Sequence, residues 1–290
     1  MNTTPAFPRA ADAPNQYAEL GERRLAYRSI GDPAGKPILL CVRFRGNLDM
    51  WDPAFLDALA DAGLRVITFD YAGWGLSGGE RQLSPAILAK DAIALLEALD
   101  LRDAILAGWS LGGMVAQIVA AMAPQRLSHL VLIATAAPDT AVKIGERLFN
   151  ETAALPGNSL ETDTILFFEP QSASSSAAAA ASHARVWQRK EGRSPDIDAA
   201  WAAGLLGTEP RLPAFPAPQV LEALKHTSLP ILHIGGDHDI VFPIENWYAL
   251  NRQLPTLQLL TFPQAGHGPQ HQYPEAAASY IATFARTSSK

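Results

Sequence analysis

The segment Gly108-Trp109-Ser110-Leu111-Gly112 fits the pattern G-x-S-x-G. A serine hydroxyl becomes a useful nucleophile only when a sharp turn exposes its oxygen and a base lies within reach. Small residues two positions to either side relieve the crowding of such a turn, and Gly113 adds another where a following helix must approach a sheet. Two later segments carry the partners such a serine needs. Gly236-Asp237-His238-Asp239-Ile240-Val241-Phe242-Pro243 holds carboxylates, and Ala265-Gly266-His267-Gly268-Pro269 holds an imidazole. Serine, acid and histidine in this order can carry acyl transfer, in which the histidine takes the serine proton and the carboxylate orients and steadies the ring.

Residues so far apart meet only if the elements before them end at one place. Residues 17–20 and 24–28 read as a hairpin joined at Gly21-Glu22. Residues 37–42, 64–70, 104–107, 130–133, 231–234 and 257–262 read as short strands. Helices fit residues 53–62, stopped by Gly63; 85–99, with Ser84 as N-cap and Pro85 at the first position; 111–123; 244–253; and 274–285. Short apolar runs alternating with longer amphipathic ones predict a mainly parallel sheet covered by helices. The serine, acid and histidine each follow a strand, and loops at the carboxyl end of a parallel sheet converge.

Residues 138–215 break this rhythm with Pro156-Gly157, the low-complexity run 172–182, the charged Arg189-Lys190-Glu191 and a proline-rich exit over 210–218. The alanines at 177–181 favour helix. Leu166, Phe167, Phe168, Val186, Trp187 and Trp201 need something to be buried against, so the region reads as a helical lid insertion rather than a linker. The chain then divides into a disordered lead (1–14), a core (15–137 and 216–290) and the lid (138–215).

At this point the sequence resembles the α/β-hydrolase-fold serine hydrolases, the esterase- and lipase-like proteins, over residues 17–137 and 229–285. The resemblance implies an α/β fold with a mostly parallel eight-stranded sheet flanked by helices, a Ser110 nucleophile and no cofactor. The family's G-x-x-D-x-x-x-P pattern places Gly236, Asp239 and Pro243 in register, favouring Asp239 over Asp237 as the acid, with Asp139 a third candidate. His267 matches the family's histidine before the final helix. His271 is a weaker choice, His233 reads as a core residue within a strand, and His129, His183, His226 and His238 have no motif support. Asp237-His238-Asp239 matches no ordinary zinc spacing, so no metal is expected. Asp70-Tyr71-Ala72-Gly73-Trp74-Gly75-Leu76-Ser77 resembles the family's D-x-x-G-x-G-x-S loop, to which structure and access are assigned rather than chemistry.

The sequence departs from the family at the oxyanion hole. Relatives carry His-Gly after the third strand, nine residues before a Trp; counting back from Trp51 puts Val42-Arg43 there. The backbone N–H groups of Phe44 and Leu111 are then the expected donors. Arg43 and Arg45 at the mouth either clamp a substrate carboxylate or form structural ion pairs with Asp49, Asp52 or Asp70. Trp51, Trp74, Trp109 and, in the lid, Trp187 and Trp201 point to a largely apolar pocket, with Arg43, Arg45, Trp109 and Trp187 as its candidate lining.

Composition bounds the rest. Of 290 residues, 48% are hydrophobic and 18% charged, which fits a folded core and excludes a disordered or collagen-like chain. This length fits one α/β domain with an insertion, or two smaller domains. A net charge of −6 argues against nucleic acid as a partner. No apolar stretch is long enough to span a membrane, and the first fourteen residues lack the apolar centre of a signal peptide. Cys41, the single cysteine, cannot form an internal disulfide and reads as a buried apolar residue. A cytoplasmic enzyme acting on a small ester-like molecule is the expectation. Lactone opening, C–C bond hydrolysis and cofactor-free perhydrolysis use the same three residues, and a small-molecule receptor with a vestigial triad is the alternative from another class.

Overall fold

The computed structural model describes residues 7–21, 23–207 and 218–288. Eight strands, β1 (Gln16–Leu20), β2 (Arg23–Ile30), β3 (Lys36–Cys41), β4 (Leu64–Phe69), β5 (Ala104–Trp109), β6 (Leu127–Ile133), β7 (Ile231–Gly236) and β8 (Leu257–Phe262), form one sheet in the order β1-β2-β4-β3-β5-β6-β7-β8. The β1–β2 and β2–β4 pairs are antiparallel and all later pairs parallel. Every residue of β5, β6 and β7 is buried. That explains their unbroken apolar runs, because helices cover both faces of a parallel sheet.

Eleven α-helices lie among the described residues: α1 (Pro53–Asp61), α2 (Pro85–Ala98), α3 (Leu111–Met122), α4 (Arg147–Ala153), α5 (Leu160–Phe167), α6 (Ala173–Val186), α7 (Ala199–Leu206), α8 (Pro218–His226), α9 (Glu245–Tyr248), α10 (Pro269–Gln272) and α11 (Pro274–Thr287). Asp52 caps α1 by accepting the Ala54 N–H at 2.9 Å, and Gly63, at φ +89°, takes the chain out of it. Two sequence expectations need correction. Pro85 opens α2, but the Ser84 hydroxyl makes no capping hydrogen bond. The helix expected over 244–253 is only the four residues of α9; successive turns follow, and Arg252 adopts φ +70°.

Five helices, α4 to α8, lie between β6 and β7 among the described residues. The Ala/Ser-rich run is helix α6, which turns Ser175, Ala179, Ser182 and Val186 inward at spacings of four, three and four. Arg185 grips Asp52 through Nε and Nη2 at 2.8 and 2.7 Å, and Ser175 Oγ donates to Gln272 Oε1 at 2.7 Å, so α6 is tied to α1 and α10. Phe167, Phe168 and Val186 are buried, and Leu166, Trp187 and Trp201 pack partly against the same core. Most of the proline-rich exit and the expected 215/216 boundary lie outside the described residues, as do Glu22 of the hairpin turn and residues 1–6.

The disordered lead is corrected over residues 7–14. Arg9 pairs with Asp57 and Asp61 of α1, the Ala10 N–H donates to Asp57 Oδ1 at 2.8 Å, and Ala13 is fully buried. Nothing within the segment itself announces these partners, which belong to α1. Among the described residues no helix is long and apolar enough to cross a membrane.

A buried polar knot fixes the loops above the sheet. Asp70, at the end of β4, accepts the Leu48 N–H on Oδ1 at 2.7 Å, and the Leu76 N–H and Ser194 hydroxyl on Oδ2 at 2.8 and 2.6 Å. Asp49 takes Arg28 and the Ser194 N–H. Burial raises the Asp70 carboxyl to about 6 against the pull of these donors. Asp70→Asn would in either orientation turn amide hydrogens toward the Leu48 or the Leu76 N–H, which can only donate, so urea unfolding at pH 8 should reveal a loss of about 1–3 kcal/mol. An unchanged unfolding midpoint would count against the knot.

His233 in β7 stacks on Trp247 with ring centroids 4.3 Å apart, and among the described residues neither of its nitrogens has a hydrogen-bond partner. Burial pushes it down to about 3, and His271, also buried, down to about 4. Both take up their proton readily only on unfolding. Stability should therefore fall as pH drops below about 6.5, until these folded values are reached. His233→Leu should make the slope of unfolding free energy against pH shallower between 6.5 and 4; an unaltered slope would exclude His233 as a contributor.

Candidate active site

Strand β5 ends at Trp109 and α3 begins at Leu111, leaving Ser110 alone to reverse the chain at φ +57°, ψ −119°. The backbone around it leaves no room for side chains. A Cβ on Gly108 would strike the Gly112 carbonyl, one on Gly112 the Cys41 carbonyl of β3, and one on Gly113 the side chain of Thr135. The Ser110 N–H donates to the Ile133 carbonyl at 3.0 Å, and the Thr135 hydroxyl donates to the Ser110 carbonyl at 2.6 Å. These contacts hold the peptide groups flanking the serine in a conformation that costs a non-glycine residue energy.

The loops after β7 and β8 bring Asp239 and His267 to this turn. Ser110 Oγ lies 2.8 Å from His267 Nε2, and His267 Nδ1 lies 2.9 and 3.0 Å from the two Asp239 oxygens. Asp239 Oδ1 also accepts the Val241 and Phe242 N–H groups at 2.7 and 3.0 Å, so the carboxylate is fixed before it meets the ring. An acceptor-only carboxylate at Nδ1 places the neutral ring's hydrogen there and leaves Nε2 to accept from the serine hydroxyl. The His267 and Asp239 side chains are 2% and 1% exposed, so solvent barely screens their interaction. Phe242, Trp109 and Phe167 surround the imidazole with centroids 5.6–6.4 Å away, and Trp109 Nε1 donates to the His267 carbonyl at 2.7 Å.

The other candidate acids and histidines stand elsewhere. Asp237 contacts His238 Nδ1 and the Ala265 N–H. Asp139 accepts the Thr140 N–H and lies on the wall of the cavity beside Ser110. His271 is held behind Trp109, where Nε2 accepts the Asp52 N–H at 3.2 Å. The Cys41 thiol is buried and pushed up to about 12, which leaves it unreactive at neutral pH. Among the described residues no group of three His, Cys, Asp or Glu side chains is arranged to hold a metal ion.

Ser110, Phe44 and Leu111 share a cavity of about 240 Å³, whose apolar wall includes Met114, Phe149, Leu206, Val241 and Phe242. Among the described residues neither the Phe44 nor the Leu111 N–H has a hydrogen-bond partner. The Leu111 group is the first of α3, where helix geometry leaves N–H groups free and positively polarised. A second, smaller cavity of about 30 Å³ also touches Ser110 and His267, and Arg45, Thr152 and Asn158 stand in its wall.

The expected lining is corrected at three positions. Trp109 is fully buried and braces His267 from behind, packed against Trp51 and Phe167. Trp187 stacks with the Arg193 guanidinium 4.1 Å from its ring and lines neither cavity. Arg43 lines neither cavity; its guanidinium rests on Phe167 and Trp109 at 4.5 and 5.3 Å and donates to the Phe44 carbonyl at 2.8 Å. Large rings gain most from full burial, so the tryptophans form the layer beneath the site instead of its surface. Val241 and Phe242 escaped the sequence reading, although they lie within the segment that carries Asp239. Phe149 and Leu206 gave no signal because their positions depend on how α4 and α7 pack.

The expected ion pairs for Arg43 and Arg45 are also overturned. Asp49 is taken by Arg28, Asp52 by Arg185, and Asp70 by the donors of the polar knot. Arg45, with backbone φ +55°, instead donates through Nη1 to the Ala153 and Leu155 carbonyls at 2.6 and 3.0 Å. Burial lowers both guanidinium groups, Arg43 to about 10, which leaves Arg43 charged at neutral pH.

A sequence profile described as the alpha/beta hydrolase fold matches residues 36–274. An alpha/beta hydrolase fold protein from Chitinophaga pinensis superposes with a TM-score of 0.80 at 30% identity, covering 97% of this chain and all of that one. A thermophilic esterase from Thermogutta terrifontis gives 0.69 at 25% identity, covering 94% of this chain and 98% of that one. The dihydrolipoyllysine-residue acetyltransferase component of the acetoin cleaving system of Pseudomonas putida is 38% identical over 157 residues, which are 53% of this chain and only 42% of that protein. With the profile spanning most of the chain and a 30% identical neighbour covering 97% of it, this protein belongs to the alpha/beta hydrolase family.

Proposed function

We propose that this protein is a cytoplasmic serine hydrolase that cleaves a small, largely apolar carboxylic ester through Ser110, His267 and Asp239, without a cofactor. The observation that carries the reading is the hydrogen-bonded line from Ser110 Oγ through His267 to Asp239, set beside an apolar cavity of about 240 Å³. Similarity to the Thermogutta esterase supports an ester as substrate. The lone, buried Cys41 is consistent with a reducing compartment.

In this mechanism His267 Nε2 takes the Ser110 proton as Oγ bonds to the ester carbonyl carbon. The Phe44 and Leu111 N–H groups donate to the resulting oxyanion, and Asp239 steadies the imidazolium. The intermediate then breaks its bond to the alcohol oxygen, which receives the proton from His267. Water, deprotonated by the same nitrogen, attacks the acyl-serine, and Ser110 regains its proton as the acid departs. Residues 138–215 act as a lid on the 15–137 and 216–290 core, with Phe149 and Leu206 keeping water from the apolar cavity.

On p-nitrophenyl butyrate, Ser110→Ala should lower kcat by roughly 10⁴-fold or more, and Asp239→Asn by about 10⁴-fold. Asp237→Asn, outside the line, should have little effect. Undiminished turnover in Ser110→Ala would overturn the assignment, whereas thermal stabilisation by esters without any wild-type turnover would favour a receptor.

A further inference from the structure

Arg45 is 8% exposed and reaches the same small cavity as Ser110 and His267. Its hydrogen bonds are the two from Nη1 to the Ala153 and Leu155 carbonyls. Among the described residues Nε and Nη2 have no partner and no carboxylate lies within ion-pair distance. Asp49, Asp52 and Asp70 are each engaged by other groups, and Asp196 and Asp198 attract the guanidinium from beyond ion-pair distance without fully offsetting its burial. A buried guanidinium without a salt-bridge partner is costly, and here it stands on a backbone at φ +55°, a conformation costly for any residue but glycine. The two carbonyls occupy one nitrogen and leave the side-on edge, Nε–H and Nη2–H. That edge matches a carboxylate with two parallel hydrogen bonds.

We infer that the small cavity is a carboxylate subsite, and that the substrate carries an apolar arm on one side of its scissile carbonyl and a short carboxylate-bearing arm on the other. The inference rests on the Ser110 hydrolase reading for the word substrate, but the anion site itself does not. The two cavities meet at Ser110, and their sizes, about 240 and 30 Å³, assign the long apolar arm to one and the short charged arm to the other. Arg43 has a different part. Wedged on Phe167 and Trp109 with its Nη1 on the Phe44 carbonyl, it adds positive charge beneath the site without reaching the ligand. The plainest rival is purely structural, with Arg45 serving only to cap the carbonyl end of α4.

Binding and turnover separate these possibilities. Calorimetry on Ser110→Ala protein would compare two acid esters, monobutyl succinate and carboxymethyl butyrate, each with its own methyl ester. At least one acid should bind about tenfold or more tightly than its methyl ester, a difference charge-assisted hydrogen bonds readily supply. Adding Arg45→Met should abolish that preference, and Arg45→Lys should restore part of it. Equal binding of both acids and their methyl esters, or a preference that survives Arg45→Met, would overturn the carboxylate subsite. Should Arg45→Met fail to fold, the comparison in Ser110→Ala alone decides. An acid preference with no hydrolysis of the acid ester by the wild-type protein would support the subsite and count against the hydrolase reading.

Discussion

The closure of β5 onto α3 through a single residue is the constraint on which the rest depends. Three glycines let the Ser110 turn sit against the Cys41 carbonyl of β3 and the side chain of Thr135 after β6. Parallel pairing then sets the height at which the loops after β7 and β8 arrive. Asp239 and His267 come from positions 28 residues apart, yet the register of β7 with β8 and the Trp109 bond to the His267 carbonyl leave the imidazole one place to stand. Preorganisation of this kind lets a weak nucleophile and a weak base act together, because no ordering remains to be done during the reaction.

The loop after β3 is organised by a different principle. Its carboxylates face inward and are committed: Asp49 to Arg28, Asp52 to Arg185 and the cap of α1. Breaking any such buried pair would strand a charge, so they fix geometry more surely than they add stability. Their commitment leaves the arginines of the same loop with carbonyls and aromatic faces as partners. The positive potential beside the serine is therefore a product of the wider ion-pair arrangement and not of Arg43 and Arg45 taken alone.

Much of this was legible in the sequence where local chemistry decides the outcome. The glycines around Ser110, the apolar strands and the order of serine, acid and histidine are short-range signals. The spacing to Pro243 separated Asp239 from Asp237 through resemblance to a family, and the hydrogen bonds in the structure join Asp239 to His267. What escaped was decided by tertiary partners. Asp49, Asp52 and Asp70 looked available to Arg43 and Arg45 because nothing in the chain announces that Arg28, Arg185 and Ser194 claim them. The tryptophans looked like cavity lining because hydrophobicity does not say which side of a layer a ring will occupy. The lead near Arg9 looked unstructured because its partners, Asp57 and Asp61, belong to a helix about fifty residues away.

Helix α6 was conspicuous in the sequence for its monotony. Of its fourteen residues, Ser175, Ala179, Ser182 and Val186 face inward and are buried. Alanine on the outward face favours the helix and serine is tolerated there, neither specifying what the helix packs against, and exchanges on an exposed face are nearly neutral in free energy. The information that docks this helix is concentrated in one narrow inward stripe, in Arg185 and in His183, whose Nδ1 meets Asp163 of α5 at 2.7 Å. Most of the segment is thus free to drift in composition while its position over the core stays fixed.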